Sequence, residues 1–472
     1  MSRVRLGSIL AMTILPSARM HALDVDTLKL REEVFDYSRR RMNYEPAPLD
    51  ISKSPAELAT LVPPTVTEEG IGGLNALKLF EEILAPSCIS VDNPAFLSFI
   101  PAAPTEAATL FDLVVSASSI YGGSWAEGAG AVYAENEVLR WLAAEAGLPE
   151  GSGGVFVQGG TLGNLSALVA ARHTARVNRE RAGEPMPRRW AFVCSAEAHS
   201  SLKAAARVMD VEIIPVPINP TGKMHGDEVE AAVGDWDGVF AVVATGGTTN
   251  FGIVDHLRSV GEVARAHGAW FHVDGAYGLA GMLAPTSRHL FDGVELADSF
   301  IVDPHKWLFA PFDACALIYR DPLLGKAAHT QHAEYLDVLT ETGDWNPSDY
   351  AYHLSRRPRG LPLWFSLATH GAGAYREAID ANIKLASDIA DEIERRPGFN
   401  LVRRPELSNV VFTRDGWEAA DYARWSAQLL QDGIAFVVPS SHQGEPNTRF
   451  SIVNPLTDFE TLVNILDSME DK

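Results

Sequence analysis

Four short segments of the 472-residue chain carry side chains suited to covalent chemistry on a small molecule. The first is Asp303-Pro304-His305-Lys306-Trp307, directly after the apolar run Phe300-Ile301-Val302. A lysine amine whose pKa is lowered in an enclosed site can form a Schiff base with a carbonyl. Taken alone, a lysine at a strand–loop junction is more often merely structural or solvated. The second is Trp270-Phe271-His272-Val273-Asp274-Gly275-Ala276-Tyr277, where a carboxylate ends an apolar run and two small residues leave the backbone uncrowded. An anion in that place keeps a pyridine nitrogen protonated, which is what makes a pyridoxal ring an electron sink. Its plainer use is as a helix cap or turn residue. The third, Gln158-Gly159-Gly160-Thr161-Leu162-Gly163-Asn164, joins a strand to a helix start and can aim backbone N–H groups and a hydroxyl at a phosphate. It is neither a Walker loop nor a GxGxxG fingerprint, and a plain tight turn reads the same way. The fourth, Ser195-Ala196-Glu197-Ala198-His199-Ser200-Ser201-Leu202-Lys203, sets a flat imidazole at a strand-to-helix turn, where it can stack on a flat ring or simply cap the helix.

The elements that must position these segments follow from hydrophobic spacing. Short apolar runs at 154–158, 190–194, 211–216, 240–245, 270–274, 299–302 and 314–319 alternate with helical patterns at 162–172, 200–207 and 257–266. Brief buried runs separated by helices predict βα units and a largely parallel sheet. All four segments then fall just beyond strand ends, where open α/β sheets collect ligands. Residues 23–87 read as helices broken by Pro46, Pro48, Pro55, Pro63 and Pro64, and 107–147 as helical. A long helical stretch at 375–396 leads into shorter alternating pieces at 407–413 and 449–453, a small α+β unit.

Composition excludes several function classes. With 39 Lys+Arg against 61 Asp+Glu, the net charge of −22 would repel a nucleic acid backbone, so no nucleic-acid partner is expected. Three cysteines (Cys88, Cys194, Cys315) without CxxC spacing fit neither a disulfide framework nor a zinc ribbon, and no metal is expected. His329-x-x-His332 lacks the HExxH order of a metal hydrolase. No run reaches the roughly 18 apolar residues of a spanning helix, so no membrane partner is expected. Arg3 and Arg5 precede an apolar stretch at 6–15, with Ala18 and Ala22 as small residues, which resembles an export signal. The expectation adopted is instead that Met20 is the true start.

In order and together, HVDGAYG, SAEAHSSLKAA and above all DPHKW resemble the group II family of pyridoxal-5′-phosphate-dependent amino-acid decarboxylases, which includes the aromatic-L-amino-acid and glutamate decarboxylases. The likeness runs from about residue 80 to 467. It implies an aspartate aminotransferase-like (fold type I) α/β fold with three parts. A helical N-terminal arm would span 1–104, a large, mainly parallel seven-stranded sheet domain 105–370, and a small α+β C-terminal domain 371–472. It implies that Lys306 binds the cofactor covalently, that Asp274 pairs with the ring nitrogen, and that Ala276 underlies the ring with His199 stacked opposite. Gly160, Thr161 and His305 would help hold the phosphate. Thr248 matches the family threonine beside the aspartate, and Asp303 stands where many relatives carry Asn. Tyr335, in Glu334-Tyr335-Leu336, aligns with the loop tyrosine that protonates the carbanion carbon after carbon dioxide leaves. The segment Ser355-Arg356-Arg357-Pro358-Arg359 resembles the Arg-rich stretch after that loop, with a structural ion-pair cluster as the alternative.

The substrate segment of the family matches 93–101, including Phe99, Ile100 and Pro101, and holds no Arg or Lys to pair a side-chain carboxylate. An aromatic or bulky apolar amino acid is therefore expected, although Asn93 stands where the aromatic enzymes usually have His. Relatives that oxidise the carbanion to an aldehyde typically replace the loop Tyr with Phe, and lyases and aminotransferases differ around the lysine. A non-catalytic relic would be expected to have lost Lys306, Asp274 or His199. The resemblance also implies a homodimer with the active site at the subunit interface. A cytoplasmic enzyme is expected, since an exported one would have to fold around its cofactor first.

Overall fold

A computed structural model describes residues 20–331 and 345–469. The chain divides after Ser90 into two compact units. The first holds the helices Val25–Met42, Pro55–Leu61 and Gly73–Leu79. Their starts are set locally. The Asp24 carboxylate accepts from Thr27 N–H, and Ser54 and Glu57 form a reciprocal capping box with Pro55 at the first helical position. None of the three helices has a fully buried residue.

The second unit is built on seven strands: β1 Gly153–Val157, β2 Ala191–Ser195, β3 Glu212–Val216, β4 Val239–Thr245, β5 Trp270–Asp274, β6 Ser299–Val302 and β7 Cys315–Tyr319. They lie in the order β1-β7-β6-β5-β4-β2-β3. Pairs from β3 through β6 are parallel, and β7 runs antiparallel to both β6 and β1. The sequence predicts each strand to within about a residue, but it does not reveal the reversal of β7. Its cause is the connection: the one helix between β6 and β7, Pro304–Trp307, is a single turn and cannot serve as a crossover.

Residues alternate along the strands between two cores. Val155, Val157, Phe192 and Cys194 pack on one face with Ala167, Leu168 and Ala171 of helix Gly160–Ala182 and with Leu202 of helix Ser200–Met209. Phe156, Ala191 and Val193 pack on the other with Leu142, Leu257 and Val260. Covered on both sides, the central strands are continuous apolar runs. Helix Gly160–Ala182 extends ten residues beyond the expected end at Arg172, because its later turns are held by ion pairs rather than an apolar stripe. Arg176 Nε lies 3.2 Å from Glu180, Arg179 pairs with Asp237, and Gly183 closes the helix in the left-handed region.

A second, antiparallel sheet follows in the order β10-β11-β9-β8, from β8 Phe399–Leu401, β9 Asn409–Arg414, β10 Ser440–His442 and β11 Glu445–Ser451. The helix leading into it, Leu361–Arg395, is broken at Gly371, whose φ of 75° no helical residue adopts. Among the described residues no helix is long and apolar enough to cross a membrane.

Candidate active site

The carboxyl ends of β1, β4, β5 and β6 open on one edge of the large sheet, and the loops beyond them line a cleft of about 670 Å³. Gly160, Thr161, His199, Thr248, Asp274, Ala276, Asp303, His305 and Lys306, far apart in sequence, all reach it.

Lys306 stands on the single turn after β6, and its Nζ lies 3.0 Å from Asp303 Oδ2. Burial works against its ammonium, but the carboxylate and its hydrogen bond outweigh it and hold the pKa above its ordinary value. Asp303 thus keeps the amine protonated, whereas attack on a carbonyl calls for the neutral form. Asp303 is itself buried, accepts from Gly160 N–H at 3.3 Å through Oδ2, and leaves Oδ1 buried without a hydrogen-bond partner. The ring of His305 is fixed by its Nδ1, which lies 2.7 Å from the Ala314 carbonyl and 3.0 Å from the Ala314 N–H. Burial lowers its pKa against the pull of Asp303.

Asp274 ends β5, with Oδ1 accepting from Ala276 N–H at 3.3 Å and Oδ2 from the Asn164 amide at 2.9 Å. Glycine at 275 is obligatory, since a Cβ there would lie 2.3 Å from Leu279 Cβ and 2.9 Å from the Ile301 carbonyl. At Gly160 a Cβ would sit 3.1 Å from both Ala276 Cβ and Asp303 Oδ2, so the missing side chain keeps the helix start open beside the lysine. His199 caps helix Ser200–Met209, its Nδ1 accepting from Ser201 N–H at 3.2 Å. The Thr248 hydroxyl accepts from Ile253 N–H at 3.1 Å and closes the turn after β4.

Other sequence-predicted residues lie elsewhere. Tyr335 is outside the described residues. Ile100 and Pro101 are buried and Phe99 is 59% exposed at a φ of 55°, and none of the three lines the cleft within a single chain. The arginines form the ion-pair cluster. Arg356 is buried and bidentate on Glu135 at 2.7 and 2.8 Å, Arg357 meets Asp112 at 2.6 Å, and Arg359 meets Asp313 at 2.9 Å.

Sequence reasoning gave no role to three residues at or beside the site. Asn164 is a buried carboxamide between Asp274 and Ser201. His442, on β10, lines the cleft and lies 4.0 Å from Glu197. Arg449, on β11, is buried and donates to the carbonyls of Thr249 and Phe99.

An amine beside a buried carboxylate, a second carboxylate at a strand end, and an open helix N-terminus meet the needs of pyridoxal phosphate. They suit, in turn, its aldehyde, its ring nitrogen and its phosphate. With the seven-stranded sheet, they define a fold type I pyridoxal phosphate enzyme. Residues 55–414 match the pyridoxal-dependent decarboxylase conserved domain, and the chain belongs to that family: it is a pyridoxal-phosphate-dependent amino-acid carboxy-lyase. It is 28% identical over 392 residues, 80% of each chain, to the aromatic-L-amino-acid decarboxylase of Bacillus atrophaeus. It is 34% identical over 296 residues to the cysteine sulfinic acid decarboxylase of Homo sapiens, covering 60% of this chain and 59% of that one. The crystal structure of Oryza sativa TDC with PLP and tryptamine superposes with a TM-score of 0.85 at 24% identity, over 95% of this chain and 99% of that one.

Proposed function

We propose that the protein decarboxylates an L-amino acid with an aromatic or bulky apolar side chain, giving the amine and carbon dioxide. The observation that carries this reading is the meeting of Lys306, Asp274 and His199 in one cleft that also presents Phe251 and Phe312. Bound through Lys306, pyridoxal phosphate supplies the sink for the electron pair left behind when the carboxylate departs. Asp274 holds a proton on the ring nitrogen. Ala276 offers a small apolar floor, and His199 covers the opposite face and touches the substrate. Gly160, Thr161 and His305 would help hold the phosphate, with Thr248 and Asp303 in the same cleft. Tyr335 would deliver a proton to the carbon that has lost carbon dioxide, so that amine rather than aldehyde would be the product, and Lys306 would hold the cofactor between turnovers. The enzyme is cytoplasmic and works as a homodimer, the dimer being supported by the exposed Phe99 and by N-terminal helices without a fully buried residue.

A second reading, an acidic side chain, is favoured by Arg449. Its guanidinium is buried beside Thr249 and Asn250, both of which line the cleft, and its hydrogen bonds among the described residues go to carbonyl and amide oxygens rather than to a carboxylate. The similarity to a cysteine sulfinic acid decarboxylase points the same way.

The test is carbon dioxide release by the purified holoenzyme from a panel of L-amino acids, with Lys306→Ala as the blank. Release from tryptophan, tyrosine or phenylalanine supports the first reading. Release from glutamate, aspartate or cysteine sulfinate alone replaces it with the second. Aldehyde with oxygen uptake in place of amine would remove Tyr335 from its role.

A further inference from the structure

We propose that Asn164 is a positioning residue whose single carboxamide fixes the hydrogen-bond arrangement around Asp274 and joins it, through Ser201, to His199. This rests on the assignment of those two residues to the ring nitrogen and the ring face.

Asn164 is 1% exposed, so its amide must be satisfied by protein groups. Its Nδ2 donates to Asp274 Oδ2 at 2.9 Å and to Ser201 Oγ at 3.0 Å, and its Oδ1 faces His272 Nε2 at 2.9 Å. A carboxylate only accepts, so the amide nitrogen has to face Asp274, which turns the amide oxygen toward His272. That oxygen also only accepts, and His272 must therefore carry its proton on Nε2. Burial pushes the His272 pKa down to about 4 against the pull of Asp274, so the ring is neutral and its Nδ1 is bare. The bare Nδ1 accepts from Ser299 Oγ at 2.8 Å, and Ser299 accepts from Trp270 Nε1, a group that can only donate, at 2.8 Å.

The second amide proton points the other way. Ser201 Oγ receives it and gives its own proton to His199 Nδ1 at 2.9 Å, the same nitrogen that accepts from Ser201 N–H at 3.2 Å. His199 is thereby left with its proton on Nε2. The links from Asn164 to Asp274 and His272 each have one allowed direction and depend on its carboxamide, whereas the Ser201 backbone N–H by itself already makes His199 Nδ1 an acceptor. Strand geometry makes the meeting possible: Trp270, His272 and Asp274 alternate onto one face of β5, and His272 is in register with Ser299 of β6.

The test uses full-length protein with 15N-labelled histidine rings, together with equilibrium binding of pyridoxal phosphate and the pH titration of the bound cofactor's visible absorption. The groups that feel the Asp274 charge are Lys306, His272, Cys194 and Cys315. In the unaltered protein His199 and His272 are both expected in the Nε2–H form. Ser201→Ala, which leaves both the Asn164–Asp274 bond and the backbone N–H on His199 Nδ1 in place, is expected to alter neither histidine tautomer nor cofactor affinity. Asn164→Leu is expected to weaken cofactor binding roughly tenfold or more and to displace the titration midpoint. A His272 proton on Nδ1, a Ser201→Ala protein that binds the cofactor as weakly as Asn164→Leu, or an Asn164→Leu protein with unchanged affinity and midpoint overturns the proposal. If Asn164→Leu does not fold, the His272 tautomer and the Ser201→Ala affinity decide alone. Asp274→Asn separates the layers. If it alters affinity and midpoint while Asn164→Leu does not, only the Asn164 role fails; if it alters neither, the assignment of Asp274 fails.

Discussion

Asp303→Asn should speed the capture of pyridoxal phosphate by the cofactor-free protein. The amine that attacks the aldehyde must be neutral, and Asp303 at 3.0 Å keeps it charged. At an effective dielectric of about 20, an ion pair at that distance is worth roughly 5 kcal/mol before desolvation. Lys306 is largely buried, and burial alone lowers its pKa, so removing the carboxylate takes the pKa from above its ordinary value to below it. Below both pKa values the neutral fraction rises tenfold per pH unit in either protein, and the variant reaches its plateau at a lower pH. At pH 7.5 we expect capture to be faster by roughly tenfold or more, the lower bound allowing for most of the Coulomb gain being lost to solvent screening. The assay is stopped-flow absorbance after mixing cofactor-free protein with excess pyridoxal phosphate from pH 6 to 10. Asn retains an oxygen to accept from Gly160 N–H, so the fold should be kept. Pyridoxal without its phosphate should show the same ratio, which separates an effect on the amine from relief of repulsion toward the phosphate. Equal or slower capture by Asp303→Asn at every pH would refute the idea that this ion pair governs loading.

Three further outcomes follow from the same geometry. Arg356→Met strands the buried Glu135 carboxylate and should cost about 3–5 kcal/mol in urea unfolding, with turnover per folded site unchanged; lost turnover at full stability would instead put Arg356 in the chemistry. Gly160→Ala adds a Cβ 3.1 Å from Ala276 and Asp303, an overpacking of about 1–3 kcal/mol that should weaken cofactor binding roughly tenfold in equilibrium dialysis while the protein stays folded; unchanged affinity removes Gly160 from the phosphate site. Tyr335→Phe should lower amine yield and raise oxygen uptake and aldehyde, read with an oxygen electrode, and an unaltered product ratio would exclude Tyr335 as the proton donor.

Where residues are buried on both sides, their types alone mark the element, and β5 and β6 are legible to the residue because each is an apolar run closed by an acid. Strand direction is not written in residue type, so the reversed β7 reads like its parallel neighbours. The hairpin of β10 and β11 is obscured because Ser, His, Asn and Thr dominate it, and nothing apolar alternates until Phe450. The site divides along the same line. Lys306, Asp274, His199 and Gly160 stand in recognisable segments, whereas the Asn164–Asp274 contact joins residues 110 apart and belongs to no segment. A trace of it was nonetheless available. Gly163, Asn164, Ala167, Leu168 and Ala171 recur at helical spacing, so Asn164 is the one polar side chain among them on a buried apolar stripe. A carboxamide on such a stripe needs a buried partner, and β5 offers one on only one face. A one-residue slip of β5 would put Val273 where His272 or Asp274 now stands and turn both polar residues to the opposite core. The register of a single strand, set by its pairing with β4 and β6, thus holds the Asp274 carboxylate and its hydrogen-bond chain together.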